Sequence, residues 1–279
     1  MSEERNDLKY EGKGQASRLS IQHEVAGGPL GIFGEEAKKH DFNIGEVSTL
    51  ILKALRQTFP DLNFRMRNSI SKKEINEKLQ SISEILGQSL FLKNASIKPD
   101  GGVIEVQGLD KIWHIILVGE SKHQGNDVEK IRAGIKQGKN KDSDFMAAGN
   151  AIERVHKNIL EFRNLMIDEL HFPYVVFLQG SNFATETFYV RSPDGRDVKV
   201  EHDSGMLNRI DRVTAANYAA KINQNYCRNI KIKIGENLQT LQMPTLYFQC
   251  DPWTSDEMYN VMIEVALTSL DVLKENQKI

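Results

Sequence analysis

Val103-Ile104-Glu105-Val106-Gln107-Gly108-Leu109-Asp110-Lys111-Ile112-Trp113-His114-Ile115-Ile116-Leu117-Val118-Gly119-Glu120-Ser121-Lys122 reads as a β-hairpin that carries charge at its far end. Two β-rich runs, 103–106 and 112–118, flank Gln107-Gly108-Leu109-Asp110, whose Gly and Asp favour a turn. With the turn centred near Leu109, Val106 is expected to face Ile112 and Asp100 to face Val118, leaving Glu120 a diagonal neighbour of Asp100. Side chains alternate along a strand, so positions 118, 120 and 122 share a face, and pairing adds position 100. Asp100, Glu120 and Lys122 are therefore expected to converge.

Two carboxylates ~7–8 Å apart across strands suit Mg²⁺, a hard cation that takes oxygen ligands and completes its shell with water or phosphate oxygens. Mg²⁺ is the expected cofactor, with Mn²⁺ substituting. Lys122, one strand step further on, can hold an attacking water and offset charge growing on a scissile phosphate. The chemistry this predicts is in-line phosphodiester hydrolysis. The tripeptide is not specific by itself: Glu36-Ala37-Lys38 and Asp197-Val198-Lys199 share its spacing, and Pro193-Asp194-Gly195 repeats the residues around Asp100. What sets Glu120 apart is the apolar run Ile115-Ile116-Leu117-Val118 before it, the mark of a buried strand. A surface strand ending in solvated charges satisfies the same pattern.

The surrounding chain allows an α/β fold. Its 279 residues are 40% hydrophobic, enough for a sizeable core, and no linker divides them. The expectation is a single domain over 18–279, a central mixed β-sheet with helices on both faces, preceded by a mobile arm at 1–17. Thirty-six Lys and Arg against 38 Asp and Glu leave a formal charge of −2, which disfavours a general nucleic-acid coat protein. A specific binder can still confine its positive charge to one cleft. Two cysteines, Cys227 and Cys250, suggest neither a disulfide framework nor a zinc cluster and suit a reducing cytoplasm. The chain shows no secretory signal and no run of eighteen apolar residues, so no membrane partner is expected. It also lacks G-x-x-x-x-G-K-[ST], H-E-x-x-H and G-x-S-x-G. The glycine-rich 27–34 segment reads as a loop.

Helical periodicity puts Val47, Leu50, Ile51 and Leu55 on one stripe over 44–58, and Ile75, Leu79, Ile82 and Leu86 on another over 72–86. A third helix, 150–170, turns Ile152, Val155, Ile159, Phe162 and Met166 inward and precedes an apolar strand at 174–178. A polar hairpin at 188–200, a helix near 207–218, and strands at 230–234 and 245–249 follow. Thr254 and Glu257 form a predicted capping box for a last helix with Met258, Val261, Val265 and Leu273 buried.

Several residues fit DNA contacts. Met146-Ala147-Ala148-Gly149-Asn150-Ala151-Ile152-Glu153-Arg154 passes from small residues into a helix start, so its backbone can approach a ligand closely. In a major groove Glu153 can accept from an exocyclic amine, Arg154 can donate to purine N7 and Asn150 can pair with adenine. A small-residue helix entry with a solvated Glu-Arg pair reads equally well. Arg209 and Arg212, three apart at another helix start, can reach bases or phosphates together, although Asp211 nearby also fits plain surface charge. Arg65, Arg67 and Lys98 are phosphate-contact candidates. His123 is a candidate for catalysis or for a structural role.

Ser96-Ile97-Lys98-Pro99-Asp100-Gly101-Gly102, Glu120-Ser121-Lys122-His123-Gln124-Gly125, the 144–154 segment and Leu207-Asn208-Arg209-Ile210-Asp211-Arg212 together resemble the EcoRI family of type II restriction endonucleases, within the PD-(D/E)xK nuclease superfamily. The likeness runs from about Arg18 to the final helix. It is densest over 65–217 and weaker in the first residues and much of 221–256. It implies a restriction-endonuclease-like fold and a homodimer that cuts double-stranded DNA at the palindrome GAATTC after the G, leaving 5′-phosphate four-base overhangs. A companion methyltransferase would protect the same site. By this resemblance Asp100 and Glu120 are Mg²⁺ ligands, joined by the carbonyl of Ser121, and Lys122 is the catalytic lysine. Met146 to Ala151, with Ala147 among them, would lie in the major groove, and Asn150, Glu153, Arg154 and Arg209 would read bases. Arg65, Lys98, Gln124, Lys157 and Arg212 would contact the DNA backbone or support that shell.

The chain departs from the family pattern at Ser121, where the family has alanine, at Asn68, which replaces an acid, and at Asn126, which replaces a lysine. The first spares a backbone carbonyl; the other two bear on the electrostatics of cleavage. Two competing readings remain at this level: a sequence-specific DNA-binding protein whose cleavage centre is weak, and a structure-selective repair nuclease using the same hairpin.

Overall fold

The computed structural model describes residues 29–87, 95–125, 127–134, 149–184, 186–200 and 227–279, giving for 29–42, 149–151 and 153 the backbone only. Two units separate, Met1–Lys39 and His40–Ile279. Of the first, the described part is the opening of helix α1 (Pro29–Thr58). Pro29 stands at the helix start, where its missing N–H costs nothing, so the expected 27–34 loop is helical from there on. The arm at 1–17 and the helix near 207–218 lie outside the described residues.

The second unit is built on a five-stranded mixed sheet. Strands β1 (Phe64–Arg67), β4 (Val103–Gln107) and β5 (Trp113–His123) pair antiparallel in that order, and β6 (Tyr174–Gln179) and β11 (Thr245–Gln249) continue the sheet in parallel beyond β5. Short β2 (Ile70–Ser71) pairs with β3 (Ser96–Ile97) just ahead of Asp100. Helices α2 (Lys72–Ile82) and α4 (Gly149–Leu165) are separated in the chain by the short α3 (Asp127–Arg132); α5 (Ser255–Glu275) closes it.

Helices cover both faces. On one, Ile75 and Leu79 of α2 and Ile152, Val155, Ile159 and Phe162 of α4 pack on Val103, Val118, Tyr174, Val176 and Leu178. On the other, Ile44, Val47, Ile51 and Leu55 of α1 and Met258, Met262 and Val265 of α5 pack on Ile104, Ile116, Val175 and Phe177. The apolar stripes read from the sequence are thus mostly the packed ones. Leu50, Ile82 and Leu86 are exceptions, standing exposed at 54%, 46% and 40% where burial was expected, and Val261 is only partly buried. The second helix ends at Ile82, with the Ser83 N–H on Leu79 O, and the chain turns through a single 3₁₀ turn, Glu84–Leu86, so Leu86 leaves the stripe while Ile82 stands exposed as the last helical residue. The expected strand 230–234 forms, but as β9 (Ile230–Ile234) in a separate two-stranded ribbon with β10 (Asn237–Leu241). β7 (Phe188–Arg191) and β8 (Asp197–Val200) form the expected hairpin. The box at the last helix is complete, Thr254 accepting from Glu257 N and Glu257 from Thr254 N. No described helix is long and apolar enough to cross a membrane.

The hairpin register differs from the expected one. Val106 faces His114 rather than Ile112, because the loop runs from Gly108, whose N–H bonds Ile112 O at 2.8 Å, and includes Lys111 at φ 66°. Ile104 pairs with Leu117 and Glu105 with Ile115, leaving Ile116 as the extra residue of a bulge. Ile116 and Leu117 therefore both point toward α1 and α5, while Ile115 and Val118 point toward α2 and α4. Val118 faces Val103, and the chain beyond carries Asp100 alongside Ser121 instead of Val118.

Candidate active site

The bulge settles which side of the sheet the charged groups occupy. Beyond Val118 the alternation brings Glu120 and Lys122 to the α4 face, at the end of β5 where it parallels β6. Gly101 and Gly119 make the close approach of the other strand possible. Gly101 N donates to Gly119 O at 2.9 Å, and a Cβ on Gly101 would stand 3.1 Å from the Gly119 Cα. Asp100 is drawn against the end of β5 by this contact.

Asp100, Glu120 and Lys122 meet. The Lys122 ammonium contacts Asp100 Oδ2 and lies 2.7 Å from Glu120 Oε1. Ser121 N donates to Asp100 Oδ2 at 3.2 Å. Glu120 is fully buried, yet no oxygen is wasted: Tyr174 donates to Oε2 at 2.8 Å and Asn158 Nδ2 to both oxygens at 3.2 Å each. Lys122 and Asp100 keep 18% and 20% of their side chains exposed, so the cluster opens to solvent on their side.

Burial pushes the Glu120 carboxyl up, with the Lys122 ammonium opposing and the Asp100 carboxylate adding to the rise. Burial pulls Lys122 down, but Glu120 and Asp100 outweigh it and hold the ammonium protonated. Burial and the Glu120 carboxylate keep the Tyr174 phenol far up in its neutral, donating form. Two carboxylates are thus gathered on one cation.

That convergence fits a hard divalent ion. Both carboxylates already point at a common positive charge, and Glu120 retains its orientation through groups other than Lys122. Among the described residues no group of three or more His, Cys, Asp and Glu assembles, so the side chains supply two ligands and water, backbone or substrate oxygens would complete a shell.

The other predicted site residues are placed as follows. Arg154 and Lys157 are exposed on α4, and Lys98 is exposed between β3 and Asp100. Arg65 bonds the buried Glu105 at 2.5 Å and lies 4.2 Å over the Trp113 ring; Arg67 shares Glu105 at 2.6 Å and also pairs with Glu74. Gln124 follows β5 with its N–H on Gln179 O, and His123 ends the strand half-buried. Asn150, Ala151 and Glu153 belong to α4, but their side chains lie outside the described residues, as do Met146, Ala147, Asn126, Arg209 and Arg212 altogether. Asn68 sits between β1 and β2. Sequence reasoning missed Tyr174 and Asn158. The signal was there: a tyrosine opening a wholly buried strand and an asparagine beside the apolar stripe of α4 both need buried polar partners.

A mixed sheet flanked by helices, with Asp, Glu and Lys converging where an antiparallel hairpin meets a parallel strand, defines a nuclease of the restriction-endonuclease class. The family described as restriction endonuclease EcoRI matches residues 26–279. The chain is 59% identical over 270 residues to the type II restriction enzyme RsrI of Cereibacter sphaeroides, spanning 97% of this chain and 98% of that one. It is 51% identical over 263 residues to the type II restriction enzyme EcoRI of Escherichia coli, spanning 94% and 95%. The chain belongs to the EcoRI family and is a type II restriction endonuclease, a hydrolase that acts on DNA at specific sites.

Proposed function

We propose that the chain cleaves double-stranded DNA at GAATTC, between G and A on both strands, as a cytoplasmic homodimer. The products carry 5′-phosphates and four-base overhangs, and a companion methyltransferase protects the same sequence. The observation that carries the catalytic part is the meeting of Asp100 and Glu120 at Lys122. The likeness to EcoRI, 51% over nearly the whole chain, supports the site.

In this reading Asp100, Glu120 and the Ser121 carbonyl hold Mg²⁺, or Mn²⁺ in its place. The bound ion supplies a Lewis acid for the phosphate and an activated water. Lys122 keeps its proton and places positive charge where the five-coordinate phosphorus of the transition state gathers negative charge on its oxygens. The burial of Glu120 excludes water from the inner side of the cluster, which strengthens each of these interactions. Base reading falls to Asn150, Glu153, Arg154 and Arg209, with Met146, Ala147 and Ala151 along the groove; Arg65, Lys98, Gln124, Lys157 and Arg212 contact the backbone or brace that shell. Residues 18–279 act as one endonuclease domain behind an N-terminal arm.

Digestion of a sequenced plasmid tests this. Discrete fragments with ends mapping to G^AATTC in Mg²⁺, and intact plasmid in chelator, are expected. Random smearing, or ends at another sequence, overturns the assigned site.

A further inference from the structure

Tyr174 opens β6, and its ring has one place to be. Phe172 stacks on it with centroids 5.8 Å and planes 11° apart, while Phe162 of α4 meets it edge-on at 5.3 Å. The parallel register sets Tyr174 beside Val118, two residues before Glu120 on the same face, so the hydroxyl reaches Glu120 Oε2 at 2.8 Å. From the helix side Asn158 brackets the same carboxylate with contacts of 3.2 Å to each oxygen. The carboxylate is thereby gripped from the sheet and from α4, and Lys122 takes Oε1 from the strand itself.

A buried glutamate requires partners for stability, but not this geometry. Donors on two different elements restrict the carboxylate's rotation about χ3, which would otherwise be broad. Asn158 also lies one helical turn after the exposed Arg154, on the same side of α4. Any shift of α4 along the sheet therefore moves a donor that Glu120 depends on.

We propose that Tyr174 and Asn158 are positioning residues for cleavage: together they set the orientation of the Glu120 carboxylate, and Asn158 makes that orientation depend on the seating of the helix that begins in the recognition segment. The inference rests on the nuclease reading above for the task Glu120 performs. Neither residue touches the reacting atoms; each acts through Glu120.

Tyr174→Phe tests it cleanly, because the ring and both aromatic contacts remain and the hydroxyl alone is lost. Single-turnover cleavage of a GAATTC duplex is expected to fall about tenfold, the loss of one hydrogen bond to a charged group. Affinity for the same duplex in Ca²⁺ should stay within about twofold, since the donors to phosphate and bases are elsewhere. Mn²⁺ binding, followed by calorimetry with and without duplex, should weaken by about threefold or more. Asn158→Ala should reproduce the same split. Parental cleavage and Mn²⁺ affinity in Tyr174→Phe overturn the proposal, and so does a fall in duplex affinity as large as the fall in rate, which marks the hydroxyl as structural. If the parent leaves GAATTC uncut, the assigned site fails instead, and the Mn²⁺ titration still decides the role of Tyr174.

Discussion

Glu120 shows how one residue is made by its surroundings. A fully buried carboxylate beside a second carboxylate is tolerable because an ammonium, a phenol and an amide converge on it. Glu120→Gln keeps the shape and most of these contacts while removing the charge, so specific duplex binding in Ca²⁺ should survive and cleavage in Mg²⁺ should fall by about a hundredfold or more. Near-parental turnover would remove Glu120 from the mechanism. Far from the site, His114 offers a pH test. Its ring is buried with Glu169 at 3.8 Å and Asp110 at 3.6 Å, and the Glu169 carboxylate raises its pKa against the opposing effect of burial. The folded-state value lies above the unfolded one, so the stabilisation is complete below the ordinary value of 6.5 and disappears as pH rises through the folded value. Buried His171 has the opposite sign, its pKa lowered by desolvation, so comparison with a His114→Gln variant isolates the first effect. The Tm difference between parent and variant should be largest in acid and shrink above neutrality; a pH-independent difference refutes the coupling.

Among the elements, the hairpin is the one whose details govern the site. Both strands and the turn are legible in the alternation and the Gly-Asp signal, yet the register is not, because one extra residue in a run of four consecutive apolar side chains leaves no mark in composition. Ile115, Ile116, Leu117 and Val118 can be buried in either pattern, and only packing against two different helix layers assigns them. Longer periodic helices proved easier: the inward stripe of α4 and the Thr254 box are as the spacing predicts. Stripe ends failed at Leu86, which lies past the end of the helix in the 3₁₀ turn, and at Ile82, which is the last helical residue and stands exposed. The box gives a simple test. Thr254→Ala should cost about 1 kcal/mol, seen as a lower denaturant midpoint, while cleavage keeps its rate because α5 packs on the face opposite Glu120. A parallel fall in turnover would mean that α5 does more than cover the sheet.

For the whole molecule, the palindromic site proposed here requires two-fold symmetry, so sedimentation should give a dimer in solution and one binding event should cut both strands of a duplex. A monomer at all concentrations, or nicking of one strand only, contradicts the homodimer. The residue types needed for phosphodiester chemistry, the periodicities that make strands and helices, and the family resemblance were all legible in the linear chain. They are local properties: side-chain chemistry, and patterns repeating every two or every 3.6 residues. Three things were decided by the tertiary structure. The bulge at Ile116 turned Glu120 and Lys122 toward α4, the Gly101–Gly119 approach brought Asp100 beside Ser121, and the meeting of α4 with β6 supplied Asn158 and Tyr174 to Glu120. Each joins residues from separate elements, and which side chains meet there depends on the packing of layers against one another, a property that no segment of the chain possesses before the core forms.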